Sequence, residues 1–311
     1  MSCIKKDGKL LQTDIVELDT LLCDIKADLL SLNRDDFLVV YDYNWFTDIN
    51  IIKKGSGRGS TIWKAKLKHV AENYIVLKES PSIGILINEI KAYYQCIIEK
   101  PVANLIHIHG VTKNTCSGMP MLVIEYAQEG DLKECLNLQS PSWETKIQIL
   151  LDIISGLKMM HNAGYVHKDL HIKNILCFKE GDMLKAKIAD LGESCPISTI
   201  QGEIYGVLPY MAPEFLEDTK YTFASDVYSF GIIIIKLSTE EEKDPFWSRR
   251  DWQFPLEICE GLRPELSPDT PEIYADLCKS CTDTNPKNRP TAQKIGEILI
   301  SWITDGVFKI T

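Results

Sequence analysis

Apolar residues recur near the start of the chain in a rhythm that the remainder does not share. Leu11, Ile15, Leu18, Leu22, Ile25, Leu29 and Leu32 step by 4, 3, 4, 3, 4 and 3, with Asp14, Glu17, Asp24, Lys26 and Asp28 between them. This is an a/d seam over three heptads and predicts one helix. Such a helix either pairs two copies of the chain as a coiled-coil arm or folds back onto its own body. Three heptads are marginal for a free coiled coil, which favours the second arrangement.

From about Phe46 to His69 the period shortens to two. Lys64, Lys66 and Lys68 alternate with Trp63, Ala65 and Leu67, which predicts a half-buried strand with a wet basic face. A strand over Tyr74–Lys78 follows, and then Leu86, Ile90, Tyr93 and Ile97 mark the apolar stripe of a helix. Strands around Ile106–Val111 and Met121–Tyr126 complete a small, strand-rich unit. Beyond Gly130 helical periods dominate. A long helix through Ile147, Leu150, Ile154 and Leu157 ends near Gly164, and a hairpin pairs Ile175–Phe178 with Leu184–Ala189 across the turn Lys-Glu-Gly-Asp.

Composition narrows the class. The 311 residues hold 34 Lys and Arg against 44 Asp and Glu, a net charge of −10 that offers no general pull on nucleic acid. The start carries no apolar run of a secretory signal, and the densest apolar stretch, Phe230–Leu237, is interrupted by Lys236 and far short of a bilayer span. No membrane insertion is expected. Ten cysteines without a secretion signal read as reduced thiols, with Cys278 and Cys281 a lone CxxC better explained as core or surface thiols than as zinc or redox ligands. A cytoplasmic location is the resulting expectation.

Three groups of residues carry candidate chemistry. Gly55-Ser56-Gly57-Arg58-Gly59-Ser60 lies between two strands, where glycines let backbone N–H groups approach an anion or simply form a flexible hairpin loop. A strand, not a helix, follows it, which argues against a dinucleotide fold or a Walker-type loop. Lys78 ends an apolar strand, and Glu89 flanks the next helix's apolar stripe; a carboxylate turned inward needs a cation, and Lys78 is at hand. The segment His167-Lys168-Asp169-Leu-His171-Ile-Lys173-Asn174 precedes the hairpin, and Asp190 follows it. A hairpin brings its ends together, so Asn174 and Asp190 can share one Mg2+, a cation that prefers oxygen ligands. Asp169 is left at the loop crest to accept a proton from an incoming hydroxyl.

These segments resemble the eukaryotic protein kinases, most closely their tyrosine-kinase-like branch of the kind expanded in some fungi. The likeness runs from about Tyr43 to Trp302: His167-Lys168-Asp169 to Asn174 is similar to the HRD loop, Asp190-Leu191-Gly192 to DFG, and Ala212-Pro213-Glu214 to APE. Ser225-Asp226-Val-Tyr228-Ser-Phe-Gly231 resembles the helix start that braces the catalytic loop, and Arg289 in Asn285-Pro286-Lys-Asn-Arg289 should pair with Glu214. The resemblance implies an α+β, bilobal fold with a small β-rich N-lobe holding one main helix and a larger α-helical C-lobe. The lobes would span 43–127 and 128–303, after a helical extension over 1–42 and before a tail at 304–311. ATP and Mg2+ are the implied cofactors and a protein the implied substrate. Gly55, Ser56 and Gly57 would cover the phosphates. Ile62, Ala65 and Lys78 would line the nucleotide pocket, Ile124 would be the gatekeeper, Glu125 and Ala127 would reach the adenine edge, and Asp131 would lie near the ribose. Lys78 with Glu89 would orient the α- and β-phosphates, Asp169 would be the base, and Asn174 and Asp190 would hold the metal.

Four positions depart from the family pattern. Ser60 stands at the third glycine of the phosphate loop, Leu191 replaces the DFG phenylalanine and Lys168 replaces the HRD arginine, losing the two-pronged contact that guanidinium makes with phosphate. His171 occupies the place where serine/threonine kinases carry a lysine and tyrosine kinases an alanine or arginine. The stretch Gly206-Val207-Leu-Pro-Tyr210-Met-Ala-Pro-Glu214 looks like the serine/threonine form. The expectation is therefore an active serine/threonine kinase, with a dual-specificity or tyrosine kinase, or a pseudokinase that binds ATP or scaffolds, as alternatives. A homodimer would form through the N-terminal heptads if they act as a coiled coil.

Overall fold

The computed structural model describes residues 18–20, 22–24, 27, 39–55, 60–68, 74–98, 103–138, 140–199, 206–239, 245–249 and 251–308. The predicted N-terminal helix therefore lies largely outside the described residues, as do Ser56 and Gly57 of the glycine loop. The chain divides into two compact units: one runs to Val102 and resumes over Ile106–Tyr126, and the other comprises Ala103–Leu105 and Ala127–Thr311.

The first unit is built on a sheet of six strands: β1 (Val39–Val40), β2 (Phe46–Lys53), β3 (Thr61–Leu67), β4 (Tyr74–Glu79), β5 (Ile108–Lys113) and β6 (Pro120–Glu125). Their spatial order is β1-β5-β6-β4-β3-β2, antiparallel throughout except for β1, which lies parallel to β5. That edge pairing depends on Gly110, because a Cβ there would stand 1.9 Å from the Val39 carbonyl oxygen. Strand β5 starts later than its apolar pattern implies and bears an irregularity between Ile108 and Gly110. The one main helix, α1 (Ile83–Ile97), begins where Ser82 Oγ accepts the Ile85 N–H at 3.3 Å, an N-cap that satisfies a free donor of the first turn. Its stripe of Leu86, Ile90, Tyr93 and Ile97 is buried, as the spacing predicts.

The basic face of β3 keeps contact with solvent, as expected, and its lysines also find partners on the protein. Lys64 Nζ lies 3.8 Å from the Tyr74 ring centroid and 4.1 Å from that of Tyr126, and Lys66 pairs with Asp48 of β2 at 3.0 Å. Lys68 donates to the Asn44 carbonyl at 2.6 Å. Neighbouring strands therefore supply the counter-charge and the aromatic faces that the local sequence lacks.

The second unit is helical. Helix α2 (Leu132–Leu138) leads to α3 (Trp143–Asn162), the long helix expected before Gly164, and the short β7 (Tyr165–Val166). The predicted hairpin is β8 (Ile175–Glu180) with β9 (Met183–Ile188), and β10 (Cys195–Pro196) pairs back onto β7. Then come α4 (Pro213–Asp218), α5 (Phe223–Ser238), α6 (Phe254–Cys259), α7 (Glu272–Cys281) and α8 (Ala292–Thr304). Helix α5 is buried over nearly its whole length, which explains why Phe230–Leu237 is the densest apolar run: its lipid is the protein interior. Gly231 allows α7 to approach, since a Cβ there would meet Thr282 Cγ2 at 2.6 Å and Cys281 Cβ at 2.8 Å. Cys278 and Cys281 are both buried on that contact, their thiols pushed up by burial. Among the described residues no helix is long and apolar enough to cross a membrane, and no three His, Cys, Asp or Glu side chains form a cluster that could hold a metal ion.

Candidate active site

In the first unit, Lys78 occupies a central strand, opposite Ile62 on β3 and Leu122 on β6. Its Nζ bonds both carboxylate oxygens of Glu89 on α1, at 2.7 and 2.8 Å. The side chains are only 7% and 3% exposed. Such a pair sits in a low-dielectric setting, where losing one partner strands the other charge. Ala65 and Ile124 are buried on β3 and β6, Ile62 is half-buried on β3, and Glu125 at the end of β6 accepts the His107 N–H at 2.6 Å. The Gly55 N–H donates to Thr61 Oγ1 at 3.1 Å, which ties together the two ends of the glycine loop.

In the second unit, Ala127 is buried and Asp131 caps α2: its Oδ1 accepts the Glu134 N–H at 2.9 Å while its own N–H donates to Glu134 Oε2 at 3.1 Å. This reciprocal box gives the Asp131 carboxylate a structural duty that its expected place near the ribose did not reveal.

The loop from His167 to Asn174 is fastened from several sides. His167 is fully buried, its Nδ1 accepts the Asp169 N–H at 3.2 Å, and its Nε2 lies 3.2 Å from the Ala189 carbonyl oxygen. Those partners fix the neutral tautomer protonated on Nε2. Burial lowers the histidine's pKa and keeps it in that state, against the opposing pull of Asp226. The Asn174 amide nitrogen donates to the Asp169 carbonyl at 2.8 Å and to Asp169 Oδ2 at 3.2 Å. His171 Nδ1 accepts the Lys173 N–H at 3.2 Å, which leaves its proton on Nε2, 3.5 Å from Asp169 Oδ2. Asp169 thus has two neighbours on one oxygen while its side chain stays 25% exposed.

The hairpin register does what the sequence argument required of it. Ile175 pairs with Ile188, and the Ala189 N–H donates to the Asn174 carbonyl at 2.8 Å, so Asp190 leaves the ladder beside Asn174. Asp190 has φ 63° and ψ 67°, and Lys168 has φ 70°. Left-handed backbone at two non-glycine residues is strain that the surrounding bonds must sustain, as is common at functional loops. After Asp190, Leu191 is buried where the family carries phenylalanine.

Asp226 is the brace. Its Oδ2 accepts the His167 N–H at 2.9 Å and lies 3.0 Å from His161 Nε2, while Oδ1 accepts the Lys168 N–H at 3.2 Å and the Tyr221 hydroxyl at 2.6 Å. Burial alone would raise this carboxyl's pKa, but His161, His167 and Tyr221 outweigh it and hold it below the usual carboxylate value. Burial and the same carboxylate push the Tyr221 phenol well up. Arg289 meets Glu214 by a two-pronged pair at 2.8 and 2.7 Å, and also donates to the carbonyls of Ala224 and Asp283. Sequence reasoning missed the parts of His161 and Tyr221, and it named Ser225 without its bond to Glu214, where the serine Oγ donates to Oε1 at 2.7 Å. His161 lies far from Asp226 along the chain, and no spacing links them.

Comparison with known proteins places the chain in a family. The family described as protein tyrosine and serine/threonine kinase matches residues 51–299. Serine/threonine/tyrosine-protein kinase HT1 of Arabidopsis thaliana is 34% identical over 185 residues, 57% of this chain and 46% of that protein. Dual specificity testis-specific protein kinase 2 of Rattus norvegicus is 28% identical over 254 residues, 79% of this chain and 43% of the relative. Cyclic GMP-binding protein C of Dictyostelium discoideum is 30% identical over 315 residues, 93% of this chain but 12% of the relative. The chain thus spans less than half the length of each of these curated relatives. With a family match that runs from β2 into the last helix, over a sheet-rich unit with one main helix and then a larger helical unit, the chain belongs to the protein tyrosine and serine/threonine kinase family of eukaryotic protein kinases.

Proposed function

We propose that this chain is an active protein kinase that transfers the γ-phosphoryl group of ATP to serine or threonine hydroxyls of a protein substrate. The observation that carries this reading is the hairpin that returns Asp190 next to Asn174, whose carbonyl accepts the Ala189 N–H at 2.8 Å. The Asn174 amide nitrogen is committed to Asp169. With that nitrogen on Asp169, the side-chain oxygen is the atom that would face a cation shared with Asp190. An amide oxygen and a carboxylate are hard oxygen donors, so this set fits Mg2+, with further positions filled by phosphate oxygens and water. Mg2+ held by Asn174 and Asp190 would offset phosphate charge. Asp169 accepts the proton of the attacking hydroxyl, with His171 Nε2–H beside its Oδ2 to orient the carboxylate. Lys78, fixed by Glu89, binds the α- and β-phosphates, and the backbone around Gly55, Ser56 and Gly57 covers them. Ile62, Ala65 and Ile124 enclose the nucleotide, the backbone of Glu125 and Ala127 reaches adenine, and Asp131 lies toward the ribose.

The segment Gly206–Glu214 supports serine and threonine over tyrosine. Dual specificity is the second reading, favoured by His171 in place of the usual lysine and by two relatives whose names include it or tyrosine. The test is transfer of radiolabelled phosphoryl from Mg·ATP to a generic protein acceptor by the wild type, Asp169→Asn and Lys78→Met. Wild-type labelling that falls by about 100-fold or more in each variant is expected for a lost base or phosphate ligand. Equal background counts in all three would make the chain a binding or scaffolding module, and phosphoamino-acid analysis of the product separates serine/threonine from dual specificity.

A further inference from the structure

Among the described residues, Lys64 on β3 has two aromatic rings as its partners and no carboxylate. Its Nζ lies 3.8 Å from the Tyr74 centroid and 4.1 Å from that of Tyr126, and the two rings pack against each other at 5.8 Å with a 57° tilt. Lys66, two residues along the same face, has Asp48 at 3.0 Å instead. Register explains the arrangement. Tyr74 on β4 stands directly opposite Lys66, and Lys64 reaches its ring on the diagonal. Ile75 pairs with Glu125, which brings Tyr126 alongside Tyr74 one step beyond the end of the β4–β6 ladder. Lys64 and Tyr126 are half-buried, so the ammonium is partly stripped of water and drawn more strongly to the ring faces.

Tyr126 depends on this clamp. The ladder leaves off at Glu125, and among the described residues the Tyr126 side chain meets Tyr74 and Lys64 without a hydrogen bond of its own. Its place in the chain gives that side chain leverage. The peptide unit before it carries the Glu125 carbonyl, and the one after it carries the Ala127 N–H. These are an acceptor and a donor, the pair that the amino group and a ring nitrogen of adenine would need. Peptide units are rigid, so only φ and ψ of Tyr126 lie between the two groups, and turning this one residue re-aims both.

We propose that Lys64 is a positioning residue for the nucleotide, a role that rests on Glu125 and Ala127 being the adenine contacts. Its ammonium holds the Tyr126 ring against Tyr74 and so sets the angle at which the Glu125 carbonyl and the Ala127 N–H face the base. The clamp draws on β3, β4 and the end of β6, and it touches neither Lys78 nor Glu89, whose pairing is separate. Its loss should therefore loosen the grip on adenine and leave the phosphate end as it is. This gives one lysine of the basic β3 face a duty toward the nucleotide without any contact to it.

The test uses the full chain with Lys64→Met, which keeps a long stem and loses the charge, and Lys64→Arg, which keeps a cation. Lys68→Met removes the same charge from a lysine bonded to the Asn44 carbonyl, with neither ring as a partner. Titration calorimetry gives the Kd of Mg·ADP and that of Mg·tripolyphosphate, which lacks adenine. Lys64→Met should weaken Mg·ADP about threefold to tenfold, the worth of a cation–π contact at a half-buried site, with tripolyphosphate unaffected. Lys64→Arg and Lys68→Met should match the wild type. In transfer assays of Lys64→Met, KM for Mg·ATP should rise by the same factor while kcat holds. The proposal is overturned if Lys64→Met binds Mg·ADP as the wild type does, or if Lys68→Met weakens it equally. It is also overturned if Lys64→Arg fails to restore binding, or if tripolyphosphate loses affinity in step. A wild type that binds Mg·ADP no more tightly than Mg·tripolyphosphate is a different failure, which removes the adenine contacts themselves and the proposal with them.

Discussion

Asp226→Asn preserves shape and removes one charge from the centre of the brace. Four donors converge on the two carboxylate oxygens, two of them the fixed backbone N–H groups of His167 and Lys168. Asparagine has one acceptor oxygen, so its NH2 group must face one of the two pairs. Facing the Oδ1 pair, it could donate to a rotated Tyr221 hydroxyl but would oppose the Lys168 N–H. Facing the Oδ2 pair, it could meet His161 in its other tautomer but would oppose the His167 N–H. Either way one backbone donor is left without an acceptor at a fully buried site, which costs about 1–3 kcal/mol. The surviving bonds lose their ionic character, which adds about 1–2 kcal/mol, since hydrogen bonds to charged groups exceed neutral ones by roughly that much. A total of about 2–5 kcal/mol corresponds to a fall in Tm of about 5–15 °C for a unit of this size. The loss should also depend on pH. Because the native carboxyl's pKa lies below its unfolded value, its contribution is fully present above the unfolded pKa, near about 4, and fades as the pH falls through the native one. Urea denaturation of both proteins should therefore give a gap that is constant from pH 7 to 5 and narrows below about 4. A gap under about 1 kcal/mol at pH 7, or one undiminished at pH 3, would refute the assignment of Asp226 as a charged brace.

Glu214→Gln leaves the Arg289 guanidinium, whose side chain is 0% exposed, without its anion and should cost about 3–5 kcal/mol in urea denaturation, with the specific activity of the folded fraction retained; a neutral result would show that the carbonyls of Ala224 and Asp283 suffice. Gly110→Ala should displace β1, because the new Cβ would stand 1.9 Å from the Val39 carbonyl oxygen. Hydrogen exchange should show the Tyr41 N–H, now bonded to the Val111 carbonyl at 2.8 Å, losing protection while the β5–β6 ladder keeps its own; unchanged protection at Tyr41 would mean that the edge pairing tolerates a methyl.

What the sequence disclosed follows from how each feature is encoded. The stripe of α1 and the alternation in β3 are local periods, so burial of Leu86, Ile90 and Ala65 can be read from spacing alone. The juxtaposition of Asn174 and Asp190 was also legible, because a tight hairpin converts a sequence interval into a contact. The fate of the β3 lysines was not, because Asp48 and Tyr126 reach them only through strand order and register. The same holds for His161 with Asp226, a pair that long-range packing creates and no interval signals. Ser56, Gly57 and most of the N-terminal heptads lie outside the described residues, so the proposed phosphate role of the glycine loop and the choice between coiled coil and folded-back helix rest on the sequence.

The departures from the family pattern become less severe once it is seen which atoms do the work at each position. Lys168 stands where the family has arginine, but the bond that braces the loop comes from its backbone N–H to Asp226, which any residue except proline supplies. The side chain must tolerate φ 70°, a strain of the loop and not of the lysine in particular. Leu191 must fill apolar space, and it is buried in doing so. His171 differs in kind, because its imidazole itself lies 3.5 Å from Asp169 Oδ2, next to the atom that would take the proton. A change carried by backbone or by volume leaves the geometry of the loop in place, whereas one carried by a ring nitrogen beside Asp169 would alter the charge that a transferred phosphoryl group meets. Of Lys168, Leu191 and His171, the histidine is therefore the one through which this chain's substrate preference would diverge from that of its relatives.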